Sequence, residues 1–188
     1  MEKLKLYPGE RFIFNDIEFV CLEWNDDTFF AMTTEFWKNL PFDEDGKNDW
    51  RKSSLRRILN EQFLPLIGEK HLVLTTQSLT ADNGDTAYGG SSDFITLITD
   101  DQFRKYRDIL LPIVTEFDDW MWTITPWACL SPYASNGHNV RTVIPDGYIY
   151  YGIAGNSIGV APACTFASAH LKSRRQARIL VSADESDD

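Results

Sequence analysis

Trp120-Met121-Trp122-Thr123-Ile124-Thr125-Pro126 is where the pattern of this chain changes. Just before it, Thr99 or Asp100 can cap a helix that carries Phe103, Tyr106 and Leu110 on one inner face. Asp100 and Asp101 suit the positive end of that helix's dipole. From Trp120 onward, short aromatic and β-branched runs alternate with Gly, Pro and Asn turns: Trp120 to Thr125, Val140 to Ile144, Tyr148 to Tyr151 and Ile158 to Val160. Runs of that kind, bounded by turn residues, are strands.

Working back toward the N-terminus, residues 10 to 34 read as strands too. Phe12, Phe14, Ile17, Phe19, Cys21, Phe29 and Ala31 fall largely in period two. Asn15-Asp16 and Asn25-Asp26-Asp27 supply turns, since Asx residues tolerate left-handed backbone. Residues 38 to 49 read as a polar loop. A helix follows, capped by Ser53 or Ser54, with Leu55, Ile58, Leu59, Phe63 and Leu66 on one face and Gly68 at its end. Leu72 to Leu79 reads as a strand, residues 81 to 92 as an exposed loop, and Phe94 to Ile98 as a buried strand. Strands, two helices, then strands again imply an α+β fold with antiparallel sheets.

The 188 residues suit one domain, expected over residues 1–171, with a charged C-terminal tail over 172–188. An aromatic content of 13% sets the chain apart from disordered sequences. No apolar run approaches the ~20 residues of a membrane helix, so membrane insertion is not expected. Met1 to Gly9 has no apolar signal core, which implies synthesis in the cytoplasm and leaves later release in a virion open. The net charge of −10 speaks against nucleic acid as a partner. Lys172, Arg174, Arg175 and Arg178 form a basic cluster beside the acidic Asp184, Glu185, Asp187 and Asp188; a solvated terminus accounts for both.

No set of residues suggests catalysis, so the chain is not expected to be an enzyme. Tyr88-Gly89-Gly90 lacks both phosphate-loop patterns. His71, His138 and His170 are far apart, and Cys21, Cys129 and Cys164 have no metal spacing, so neither metal nor cofactor is expected. Cys164 lies in an apolar run and reads as a buried thiol. Asp118 and Asp119 are adjacent and poorly placed to share a substrate.

The aromatic residues after Trp120 are the exception. Trp127, Tyr133, Tyr148 and Tyr150 are interleaved with Asn136, His138, Asn139 and Asn156. Large rigid rings among small polar groups are the chemistry of binding surfaces. These eight residues are the candidate ligand-binding site. Trp120 and Trp122 share one strand face and read as core.

Several segments resemble a family of domains of unknown function common in gut bacteria and their phages. Trp50-Arg51-Lys52-Ser53-Ser54-Leu55-Arg56-Arg57-Ile58-Leu59-Asn60-Glu61-Gln62-Phe63 resembles its W-x-x-S-x-L-R-x-x-L-N-x-x-F helix. Ile95 to Phe103, Trp120 to Pro126, Val140-Arg141-Thr142-Val143 with Asp146-Gly147, and Ile158 to Ala163 resemble later segments in the same order. The resemblance covers residues 8 to 167. Ile124 and Ala161 stand where the family often has Arg. It implies a C-type-lectin-like fold, shared with sulfatase-modifying enzymes and with the variable proteins of diversity-generating retroelements. The first need an active cysteine pair, for which Cys129 and Cys164 would have to serve; the second display variable residues on the late strands. The expected function is a phage- or prophage-encoded module that binds a protein or glycan through the Trp127–Asn156 surface. An intracellular inhibitor and an enzyme related to sulfatase-modifying factors remain as alternatives. The oligomeric state is left open.

Overall fold

The computed structural model describes residues 5–129 and 137–168, and the backbone alone of 177–180. It begins with a meander of β1 (Arg11–Phe14), β2 (Ile17–Asn25) and β3 (Thr28–Thr33). Asn15 and Asp16 join β1 to β2 with φ of 48° and 63°. Two consecutive left-handed residues give a turn whose twist matches the strands it joins. A short β4 (Lys38–Leu40) then appears inside the stretch expected to be loop, because it finds a partner far along the chain.

Ser53 caps α1 (Ser54–Ile58) by accepting the Arg56 N–H at 3.1 Å. A wider turn, Leu59–Phe63, leads into α2 (Leu64–Ile67), which ends at Gly68 with φ 90°. Leu55, Leu59, Phe63 and Ile67 are buried at intervals of four. Three such steps along a regular α-helix would rotate off the face by about 120°. The Leu64 N–H bonds the Leu59 carbonyl, five residues back, and this wider turn takes up the drift. Ile58 and Leu66, expected inside, are half-buried and exposed. Three side chains fix this segment to the strand beside it. Trp50 Nε1 and Arg56 Nε donate to Asp93 at 3.0 and 2.7 Å, and Asn60 exchanges two bonds with the Ile95 backbone.

β5 (Leu72–Val73) and β6 (Thr75–Ser78) divide the next strand stretch between two sheets. β7 (Gly90–Asp93) pairs with β6. The loop between them is not wholly exposed, since Ala81 and Tyr88 are buried. Of the Phe94–Ile98 run, Phe94 is half-buried and 95–98 are buried, but the run meets the sheets through the Thr96–Ala163 bridge and an Ile124 N–H to Ile98 carbonyl bond at 2.9 Å, and forms no continuous strand. Thr99 and Gln102 form a reciprocal cap on α3 (Asp100–Lys105). The helix breaks at Tyr106 and resumes as α4 (Arg107–Phe117), closed by left-handed Asp118. β8 (Met121–Pro126), β9 (Asn139–Val143), β10 (Ile149–Ile153), β11 (Ile158–Val160) and β12 (Ala163–Ala167) follow. β13 (Ala177–Leu180) lies within the expected tail, yet it pairs with β1.

One sheet has the order β13-β1-β2-β3-β12-β5 and the second β10-β9-β8-β11-β4. Pairing is antiparallel except between β11 and β8. The architecture is therefore α+β with mostly antiparallel sheets and few helices. β2 and β3 are covered on both faces. Phe19, Cys21, Phe29 and Ala31 join a core with α1 and the inner face of the second sheet, while Val20, Leu22, Phe30 and Met32 pack with α3 and α4. Phe12, Phe19, Phe29 and Phe166 form an aromatic centre with ring centroids 5.2–5.5 Å apart. Among the described residues, no helix is long and apolar enough to cross a membrane.

Candidate functional site

β9 and β10 form a hairpin whose tip is held by α4. The Ile144 N–H bonds the Tyr148 carbonyl at 3.0 Å, and Arg107 donates to the Gly147 carbonyl at 2.6 Å. Gly147 has φ 76°, and a Cβ there would lie 2.4 Å from Leu111. At its other end, the Ala154 N–H bonds the His138 carbonyl at 2.8 Å. In the alternating antiparallel pattern, even-numbered residues of β10 bond β9 and odd-numbered ones turn their backbone to the open edge. Among the described residues, β10 has no other neighbour in its sheet.

A file of four rings crosses that edge. Trp120 meets Tyr150 edge-on at 5.5 Å, Tyr150 stacks on Tyr151 at 4.9 Å, and Tyr151 meets Trp127 edge-on at 4.6 Å. Neighbouring side chains on a strand start on opposite faces. Tyr150 and Tyr151 can stack only because both rings swing across the open side of β10. The Arg141 guanidinium lies 4.4 Å from the Trp127 ring centre, a cation–π contact.

Beside the rings is an open hollow of about 740 Å³, lined by Asp119, Trp120, Tyr150, Tyr151, Ile153 and Asn156. Gly152 forms part of its wall. A Cβ there would lie 2.7 Å from Ile158 and 2.9 Å from Trp122, so this position has room for no side chain. Asp119 accepts the Trp120 N–H at 2.7 Å, and Asn156 is exposed. Rings with a few polar groups around a concave surface can take the apolar face of a ligand and orient it by hydrogen bonds.

An ionic chain stands behind Trp127. Arg141 is paired with Asp82, and Arg104 spans Asp82 at 3.6 Å and Asp100 at 3.1 Å. Burial works against the Asp82 charge, but the Arg141 hydrogen bond and charge outweigh it and hold the carboxyl below its ordinary range. Asp100 goes the other way: burial raises it despite Thr125 and Arg104. Asn48, wholly buried, ties the loops together. Its amide donates to the carbonyls of Ala128 and Asn139 at 2.8 and 2.9 Å, and Tyr88 donates to it at 2.8 Å.

The expected site residues separate into groups. Tyr150 and Asn156 line the hollow, and Trp127, half-buried, joins through Tyr151. Tyr148 is 70% exposed at the hairpin tip. His138 is exposed but turned to the Gly46 carbonyl at 2.8 Å. Asn139 is half-buried, and its carbonyl is spent on Trp127 and Asn48. Tyr133 and Asn136 lie outside the described residues. Sequence reasoning left out Trp120 and Tyr151. Trp120 was read as core because it shares a face with Trp122; it is half-buried and packs against the core, and one residue before β8 its exposed part also lines the hollow.

The cysteines offer no nucleophile here. All three are free and buried. Burial, then the Glu10 charge, pushes Cys21 up to about 12, and burial raises Cys129 and Cys164. Among the described residues, no group of three or more His, Cys, Asp or Glu side chains could hold a metal ion. Comparison with protein-family models, with curated proteins and with solved structures gives no match to this chain.

Proposed function

We propose that this chain is a binding module of C-type-lectin-like kind, encoded by a phage or prophage, that recognises a protein or glycan on a host surface without chemistry of its own. The observation that carries the reading is the four-ring file beside an open hollow on the outer edge of the second sheet. The resembled motifs support the fold type. Their late-strand region coincides with this edge.

The test is a binding screen of the purified chain against a glycan array and against outer-surface proteins of gut bacteria. Tyr150→Ala and Trp120→Ala should each weaken the interaction by about 30-fold, the ~2 kcal/mol of a central aromatic anchor. Circular dichroism should show both variants folded. A specific ligand that binds both variants as tightly as the parent chain would refute the site, and turnover of that ligand would refute the non-catalytic reading.

A further inference from the structure

The outward side of the Trp50–Phe63 motif is not used by the ring file. Its inward residues are structural: Trp50, Leu55, Leu59 and Phe63 are core, and Ser53 is a cap. Between them, Arg51, Lys52, Arg56 and Arg57 face outward around a cleft of about 440 Å³. Ser53, Asn60, Glu61 and Asp93 complete its lining. Four cations on one helical entry are conspicuous in a chain of net charge −10.

Two of the guanidiniums are braced from behind. Arg51 donates from Nε and Nη2 to the two oxygens of Asp49 at 2.9 and 2.8 Å. Arg56 donates from Nε to Asp93 at 2.7 Å and from Nη1 to the Arg51 carbonyl at 2.9 Å. Asp93 is buried and fixed in turn by Trp50 Nε1. These bonds leave Arg51 Nη1 and Arg56 Nη2 with no hydrogen bond among the described residues, on planes already set. Lys52 has no hydrogen bond or ion pair there either. Arg57 holds only an exposed pair with Glu61 at 3.4 Å, of a kind worth little. The cleft thus combines two held guanidiniums with the Lys52 ammonium and the weakly paired Arg57. The site rests on side chains and not on the backbone N–H groups of the helix start, since Ser53 Oγ already occupies the Arg56 N–H.

We propose that this cleft is a second ligand site, for the phosphoryl group of a small molecule. Braced guanidinium forks match the oxygens of such a group and lose little freedom on binding. Asp49, Asp93 and Glu61 offset much of the local charge, so the site suits a compact anion. A long polyanion would extend beyond the ~8 Å screening length into a surface dominated by carboxylates. The site does not depend on the identity of the ring-file ligand.

The experiment is amide and arginine-side-chain NMR of the full chain titrated with inorganic phosphate, with adenosine monophosphate, and with a short single-stranded oligonucleotide. Phosphate and the monophosphate should shift resonances of residues 51–57 at millimolar concentration or below, and added salt should weaken both. Lys52→Gln combined with Arg57→Gln, two exposed positions, should reduce affinity at least tenfold with an unchanged melting temperature. Arg51→Lys should also weaken binding, because it keeps the charge but removes the fork. Absence of shifts at residues 51–57, or equal affinity in the double variant, would overturn the site. Preference for the oligonucleotide over the monophosphate would overturn the small-molecule assignment.

Discussion

Asn48 shows how a single polar side chain can tie together the loops beside the candidate edge. It lies in a loop, yet it is fully buried, and its side chain hydrogen-bonds Tyr88, Ala128 and Asn139, 40 to 91 residues away. Asn48→Ala would take the amide donor from the Ala128 carbonyl, leave the Asn139 carbonyl with the Trp127 N–H alone and remove one acceptor of the Tyr88 hydroxyl, at ~1–3 kcal/mol for a buried group left unsatisfied. Loss of at least about 2 kcal/mol in urea unfolding is expected. Asp100 carries a pH-dependent effect. Its folded pKa is raised, chiefly by burial, so its ionised form disfavours folding. That cost is absent below the ordinary carboxyl value and is complete above the folded one. Asp82, held low, contributes the opposite effect: stability above the ordinary value that is lost as pH falls through its folded one. Asp100→Asn removes the first effect. Its melting temperature relative to the parent chain should therefore rise from about pH 4 to pH 7. A flat difference across that range would refute the assignment. Asp100 was read in the sequence only as an acid at a helix start, and the roles of Asn48 and Asp82 were not legible there. A short polar side chain in a loop has the same local pattern whether it is solvated or buried; only the fold decides which.

At the scale of elements, local chemistry was legible where it is self-contained. Asn15-Asp16 turned the first hairpin, Thr99 with Gln102 opened α3, and Gly68 ended α2. The helix at Ser54 was legible as a buried face, but its wide turn was not. Burial at every fourth residue and Pro65, which lacks the N–H that the Glu61 carbonyl would accept, are its traces. Leu59 begins that turn and is wholly buried. Leu59→Ala should cost ~2–5 kcal/mol by denaturant unfolding, as a cavity in packed core does. A cost below about 1 kcal/mol would mean that the segment closes over the gap. The 95–98 run illustrates the converse failure. Continuous apolar residues say that a segment is buried, and they do not say whether its backbone runs along a sheet or only touches it.

At the scale of the molecule, the order of elements was enough for the α+β class, because segregated strands and helices leave few other arrangements. The pairing was not legible. β1 with β13, β4 with β11, and β12 between β3 and β5 are all non-local, and periodicity tells which face is covered without naming the cover. The candidate edge was half legible for the same reason: aromatic density marked the region, but only the hairpin's place at the end of its sheet shows which rings face out. That placement has a consequence for how copies of this chain meet one another. An unprotected terminal strand is a template on which further strands can add, and proteins guard against it. Tyr150 and Tyr151 stack on that strand, and their rings are expected to hinder the addition of further strands. Tyr150→Ala combined with Tyr151→Ala should therefore do more than weaken recognition: light scattering should rise steeply with protein concentration, while each single variant stays close to the parent. A double variant as soluble as the parent would mean that the twist of β10, and not its rings, protects the edge.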